Sequence, residues 1–168
     1  MNKCVFLDRD GVLNVDNVNY TWKVEEFKIM PGVKEALKIL KDKGYFLVII
    51  TNQSGIAKGV YKHEDVMNCY DYLQEQTGYL IDEIYYSPHH HTKTESLITK
   101  PGTLSFEKAI ARFNLDISKS WMVGDMDRDL IPAKKMGLKT ILIPHRTPES
   151  PFADFKAESL LQACNYIP

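Results

Sequence analysis

The stretch Val5-Phe6-Leu7-Asp8-Arg9-Asp10-Gly11-Val12-Leu13-Asn14 decides how this chain is read. A short apolar run stops at two acids and a glycine, as a core strand does when it opens into a loop at its carboxyl end. In open α/β sheets, ligands bind at that edge. Two carboxylates one residue apart repel each other unless a cation neutralises them, and a hard, oxygen-binding ion such as Mg²⁺ suits them. A carboxylate is also a competent nucleophile in phosphoryl transfer. Asp and Gly are equally at home in a surface turn, so the pair alone leaves both readings open.

The pattern around it favours the sheet edge. After a strand over Cys4 to Leu7 and a long polar, aromatic loop from Asp10 to about Met30, Pro31-Gly32 opens a helix. Val33, Ala36, Leu37 and Leu40 give that helix one apolar face, and Gly44 closes it. Tyr45 to Ile50 is continuously apolar, as in a strand covered on both sides, and Thr51-Asn52-Gln53-Ser54-Gly55 ends it. A helix is predicted over Glu64 to Gln76, with Val66, Cys69, Tyr70 and Leu73 on one stripe, and a strand over Glu83 to Tyr86. An irregular loop follows from Ser87 to Thr99, then a helix over Thr103 to Phe113. Ser120 to Val123 reads as a strand ending in Gly124-Asp125, Asp129 to Met136 as a helix capped by Gly137, and Thr140 to Ile143 as a strand. A short helix near Glu158 to Cys164 ends a proline-rich tail. This alternation predicts a three-layer αβα, Rossmann-like α/β sandwich around a mainly parallel sheet. In such a sheet the polar clusters at Asp8/Asp10, Thr51/Ser54 and Gly124/Asp125 share one edge.

A chain of 168 residues fits a single domain, with a core over about 3–143 and a tail over 144–168 packed on it. Lys plus Arg number 21 against 22 Asp plus Glu, a balance that argues against nucleic-acid and membrane partners. Cys4, Cys69 and Cys164 are odd in number and far apart, as expected of reduced thiols in the cytoplasm. The first residues read directly as a strand, with no basic segment, apolar stretch and cleavage site in series, so no leader is expected, and the longest apolar run is far too short to span a bilayer. A monomer acting on a small molecule is the expectation.

Phosphate-monoester hydrolysis needs a nucleophile, neutralised phosphate oxygens and a proton for the leaving group. Asp8 suits the attack that forms an aspartyl-phosphate. Asp10 suits general acid/base work, for which its pKa has to rise above the ordinary value of ~3.9; proximity to Asp8 is one source of that rise. Asp125 completes a Mg²⁺ site with an Asp8 carboxylate and the Asp10 carbonyl. Asp129, one helical turn on, acts through a metal-bound water or orients Asp125, and Asp127 faces solvent. The Thr51 hydroxyl and a nearby helix N-terminus bind phosphate oxygens. Lys100 supplies the missing cation, fixed where Pro101 opens the next helix.

Taken together, Asp8-Arg9-Asp10-Gly11, Thr51, Lys100-Pro101 and Gly124-Asp125 with Asp129 resemble the four motifs of the haloacid dehalogenase superfamily of phosphotransferases. Order and spacing agree from about Lys3 to Ile143. Asp8-Arg9-Asp10-Gly11-Val12-Leu13-Asn14, Asp16 and Thr51 through Gly59 look like the small branch that contains D-glycero-D-manno-heptose 1,7-bisphosphate phosphatase and histidinol-phosphatase. The resemblance implies a Mg²⁺-dependent phosphatase without a large cap domain. Asp8 is then the nucleophile and Asp10 the acid/base, with Asp125 on the metal. Substrate contacts are implied for Asp16, Tyr20, Thr51, Asn52, Gln53, Ser54, Thr99 and Lys100, with Tyr20, Trp22 and the histidine loop forming the rim.

Removal of the C7 phosphate of heptose 1,7-bisphosphate is the preferred reaction. Histidinol phosphate and other small sugar or nucleotide phosphates are alternatives, and a non-catalytic phospho-ligand-binding protein is the reading from another class. Two departures stand out. Members of the branch hold the loop before the lysine with a zinc ion, through a Cys-x-His pair and a later Cys-x-Cys. The matching positions here are Ser87, His89, Ser96 and Ile98, so no structural zinc is expected; three consecutive histidines, His89 to His91, cannot all face one tetrahedral ion. An arginine that commonly precedes the lysine is replaced by Thr99, which removes a bidentate anion binder.

Overall fold

The computed structural model describes residues 1–168. Five strands and a two-residue edge strand form one wholly parallel sheet in the order β3-β2-β1-β4-β5-β6. They are β1 (Lys3–Leu7), β2 (Tyr45–Asn52), β3 (Glu83–Ser87), β4 (Trp121–Gly124), β5 (Lys139–Leu142) and β6 (Phe155–Lys156). The helices are α1 (Val33–Asp42), α2 (His63–Thr77), α3 (Leu104–Phe113), α4 (Asp127–Met136) and α5 (Leu160–Ala163).

The two faces of the sheet carry two separate cores, as the alternation of strand side chains requires. Val5 and Leu7 of β1 and Leu47 and Ile49 of β2 pack against α1, α2 and α5, where Leu37, Leu40, Leu73 and Leu160 are buried. Phe6, Val48, Ile50 and Met122 point the other way, onto Phe106 and Ala109 of α3 and Leu130 and Ala133 of α4. This is the three-layer α/β sandwich expected from the alternation of elements. Sheet order reverses beside β1: the chain builds outward to β2 and β3, then returns to lay β4, β5 and β6 on the other side. A crevice outside the strand ends at such a switch point is the usual ligand site in open sheets.

Three details differ from the sequence reading. β2 runs two residues beyond Ile50, through Thr51 and Asn52, because both pair in register with Tyr86 and Ser87 of β3. The edge strand β6, paired with Ile141 and Leu142, has no alternation to betray it in two exposed residues. The loop after Asp10 holds a 3-10 turn at Val24–Glu26 and pairs Asn14 with Ile29. Helix α5 adds Leu160, Ala163 and Cys164 to the α1 face. No helix is long and apolar enough to cross a membrane.

Candidate active site

Asp8 and Asp125 leave the ends of the adjacent strands β1 and β4. Leu7 pairs with Val123, and the Asp8 amide donates to the Val123 carbonyl at 3.0 Å. One carboxylate oxygen each from Asp8, Asp125 and Asp129 lies within 4.8 Å of the others, and all three residues are buried. The Lys100 ammonium enters this cluster. Its Nζ lies 2.7 Å from Asp8 Oδ1 and 2.6 Å from Asp129 Oδ1, and it donates to the Ile50 carbonyl at 2.7 Å.

Three carboxylates and one ammonium leave the pocket short of positive charge. Burial, reinforced by Asp129, pushes Asp8 up to about 6 even though Lys100 pulls against it. Burial and the charges of Asp8 and Asp129 push Asp125 up to about 9. Asp125 Oδ1 is buried with no hydrogen-bond partner, an arrangement that is costly for an ionised oxygen. The Asp10 carbonyl also accepts no backbone hydrogen bond. Hard oxygen donors and a deficit of positive charge fit a divalent ion such as Mg²⁺.

Backbone and side chain cooperate to keep the acids close. Asp129 Oδ2 accepts the amides of Asp125 and Met126 at 3.2 and 3.1 Å, so the first turn of α4 holds the loop that presents Asp125. A Cβ at Gly124 would stand 2.4 Å from that of Asp129, which is why glycine ends β4.

Asp10 is arranged differently from the expectation. Its carboxylate accepts Arg9 Nε at 3.1 Å and an Arg9 terminal nitrogen at 3.0 Å, together with Asn14 Nδ2 at 2.9 Å and Gln53 Nε2 at 3.2 Å. Burial works against its charge, but the Arg9 fork and these donors outweigh burial and hold the Asp10 pKa below the ordinary value. The expected rise is therefore absent from Asp10; it falls on Asp8 and Asp125.

Several other predicted site residues are engaged within the protein. Asn52 makes a two-way clamp on the Lys100 backbone, with Nδ2 donating to its carbonyl at 3.1 Å and Oδ1 accepting its amide at 3.0 Å. Lys100 is thus fixed by Asn52 and Ile50, not by a helix that Pro101 opens, since α3 begins only at Leu104. Gln53 bridges Thr51 Oγ1 at 3.0 Å and Asp10, while its Oε1 accepts the Tyr61 hydroxyl at 2.7 Å. No helix follows Thr51 directly in the chain; the next one starts at His63. Thr99 Oγ1 lies 2.6 Å from Ser87 Oγ, and the His89 amide donates to the same serine at 3.3 Å. Hydrogen bonds of this kind tie down the loop before Lys100.

Asp127 does not face solvent as expected: it is half-buried, with Oδ1 enclosed and unpartnered, while the exposed side chain of this turn is Arg128. Trp22 stacks on Tyr61 at 6.3 Å and does not line the cleft. Tyr20 does, with its hydroxyl accepting from Lys58 Nζ at 2.6 Å.

The cleft over these strand ends has a volume of about 610 Å³, and only two of its 22 lining residues are hydrophobic. Ligand pockets are ordinarily lined mainly by apolar side chains, so this one suits a polar, hydroxyl-rich or charged molecule. Asp16, Tyr20, Asn52, Gln53, Ser54, Thr99 and Lys100 all line it. Lys58, from the Thr51–Gly59 stretch, lines it too, as do Arg128 and Arg146, which carry no site expectation from the sequence. The only signal for them was position, since Arg128 lies three residues past Asp125 and Arg146 three past the end of the strand reading at Ile143.

The chain is similar to known proteins over most of its length. The family model described as haloacid dehalogenase-like hydrolase matches residues 13–143. A Haemophilus ducreyi protein named D-glycero-beta-D-manno-heptose-1,7-bisphosphate 7-phosphatase is 41% identical over 147 residues, covering 82% of this chain and 80% of its own. A Pasteurella multocida protein of the same name is 34% identical, covering 100% and 96%. The crystal structure of D,D-heptose 1,7-bisphosphate phosphatase from B. bronchiseptica, complexed with magnesium and phosphate, superposes with a TM-score of 0.88 at 24% identity, covering 99% and 97%. The strand-end carboxylates, the buried lysine and these matches identify the chain as a member of the haloacid dehalogenase-like hydrolases.

Proposed function

We propose that this hydrolase is a Mg²⁺-dependent phosphatase that removes the C7 phosphate of D-glycero-D-manno-heptose 1,7-bisphosphate. The observation that carries the chemistry is the buried cluster of Asp8, Asp125 and Asp129 around Lys100. The substrate comes from the names of relatives 34–41% identical, and a polar cleft of this size accommodates a sugar bisphosphate.

In this reading Asp8, Asp125 and the Asp10 carbonyl hold Mg²⁺, which neutralises the phosphate oxygens when bound. Lys100 keeps Asp8 ionised and fixes the rotamer from which its free oxygen attacks phosphorus. The amides of Arg9 and Asp10 donate to no backbone group and, with the Thr51 hydroxyl, are available to the phosphoryl oxygens. Asp10 starts ionised on its Arg9 fork. A dianionic phosphate arriving beside it raises its proton affinity and competes for Arg9, so Asp10 takes up a proton from solvent as substrate binds, gives it to the leaving oxygen and recovers one from the water that attacks next. Asp129 holds the Asp125 loop, and Asn52 holds Lys100.

The test compares kcat/KM for heptose 1,7-bisphosphate, histidinol phosphate and a panel of sugar phosphates, with Mg²⁺ and with EDTA. A clear preference for the heptose bisphosphate, abolished by Asp8→Asn, is expected. Equal, low values across the panel would sink the substrate assignment; equal aryl phosphate hydrolysis by wild type and Asp8→Asn would sink the nucleophile.

A further inference from the structure

Five lysine and arginine side chains line the cleft: Arg9, Lys58, Lys100, Arg128 and Arg146. Two are committed inside the protein. Arg9 is buried and holds Asp10 and the Thr21 carbonyl. Lys100 is buried between Asp8 and Asp129. Lys58 is exposed and spends one of its donors on the Tyr20 hydroxyl. Arg128 and Arg146 are exposed as well, and they differ from Lys58 in carrying a planar guanidinium with several donors to spare.

Arg128 forms no ion pair or hydrogen bond within the chain, although it lies near enough to Asp8 and Asp125 to favour the charged form of both. Arg146 pairs with Asp16 through Nε at 2.6 Å. That contact braces the guanidinium against a carboxylate only 11% exposed and leaves its two terminal nitrogens without a partner. A guanidinium held by one edge presents the other as a planar fork, the geometry that binds phosphate bidentately. Both arginines belong to the β4–β5 side of the cleft, one in the first turn of α4 and the other just past β5. The opposite side offers the histidine loop, the exposed acid Glu95 and one lysine, Lys58, with no guanidinium fork free.

We infer that Arg128 and Arg146 form a second anion subsite, which takes the phosphate of a sugar bisphosphate that is not being cleaved. The subsite rests on the bisphosphatase reading of the same cleft. It lies on the far side of the metal-binding carboxylates from Thr99, so discrimination between bisphosphates and monophosphates comes from the strand ends β4 and β5. Asp16 acts as the brace that aims Arg146.

The experiment measures kcat/KM for heptose 1,7-bisphosphate against heptose 7-phosphate, and for fructose 1,6-bisphosphate against fructose 6-phosphate. Wild type, Arg128→Gln, Arg146→Gln and the double variant are compared, with thermal melts to verify folding. The bisphosphate-to-monophosphate ratio should fall about tenfold in each single variant, the loss expected of a charged hydrogen bond, and further in the double. Arg128→Lys should retain part of the preference. A ratio that stays constant in the double variant, or a wild type with no preference for either bisphosphate, overturns the subsite. If the ratio falls for both sugars but wild type does not prefer the heptose, the subsite stands and the heptose assignment alone fails.

Discussion

Lys100 Nζ lies 2.7 Å from Asp8 Oδ1 with both side chains at most 2% exposed, and this pair lets three carboxylates share one dry corner of the sheet edge. The lysine is both charge balance and chemistry. Desolvation alone would drive Asp8 toward the neutral acid, which cannot attack phosphorus; the ammonium opposes that.

Lys100→Met should therefore lose phosphatase activity and also stability. Removing one partner of a buried pair leaves an uncompensated charge, a loss of about 3–5 kcal/mol. Urea unfolding at neutral pH should show it, and Mg²⁺ or a lower pH should restore part of it, because each relieves the stranded carboxylates. An unchanged midpoint would mean that the cluster does not depend on this ammonium.

Metal-free protein should become less stable as pH rises. Asp8 is raised to about 6 and Asp125 to about 9 from an ordinary 3.8. Between those limits the folded state holds protons that the unfolded chain has released, so the unfolding free energy falls with increasing pH. These groups penalise folding least below their unfolded value, and the penalty grows until pH passes the folded values. Mg²⁺ binds the ionised carboxylates, so the Tm it adds over EDTA should grow from pH 5 to pH 8.5. A Tm in EDTA that climbs across this range would contradict the raised values.

The sheet edge was legible because its acids follow apolar strands directly: Asp8 after Leu7 and Asp125 after Gly124. Strand alternation also gave both cores, since Phe6 and Leu7 had to face opposite layers. What sequence could not show is which polar atoms satisfy one another across the edge. Nothing in the run Thr51-Asn52-Gln53-Ser54 distinguishes an amide that faces substrate from one that clamps the backbone of Lys100, 48 residues away. The lowered pKa of Asp10 was equally hidden, because Arg9 adjoins it in sequence but could have pointed elsewhere. The basic rim escaped because Arg128 and Arg146 lie on elements whose spacing only the folded sheet reveals.

Asn52→Ala tests the backbone clamp. It removes two hydrogen bonds to Lys100 while leaving the ammonium and every metal-facing oxygen in place. If the clamp sets the reach of Lys100, kcat on an aryl phosphate should drop about tenfold, the effect of a hydrogen bond in the range of 0.5–1.5 kcal/mol, with Mg²⁺ affinity little changed. Asn52→Asp would keep acceptance from the Lys100 amide but face its carbonyl with a second acceptor, so it should not rescue. A drop in Mg²⁺ affinity equal to that in kcat would show that Asn52 serves the metal loop instead.

Gly11 closes the loop that carries Asp8 and Asp10, at φ +88°, and a Cβ there would stand 2.5 Å from Asp125 Oδ2. Gly11→Ala therefore carries two separable effects. The left-handed backbone destabilises the protein by about 1–2 kcal/mol, and the methyl group displaces a carboxylate that faces the metal. Gly59 is the matched control, since its φ is +72° and nothing lies within 4 Å of a Cβ built on it. Gly59→Ala should lower Tm by a similar amount while Mg²⁺ activation stays at the wild-type concentration. Gly11→Ala should require a higher Mg²⁺ concentration for half-maximal activity on top of its loss of Tm. If both variants activate at the same Mg²⁺ concentration, Asp125 is not held against Gly11 as the geometry requires, and the carboxylate assigned to the metal has room to move.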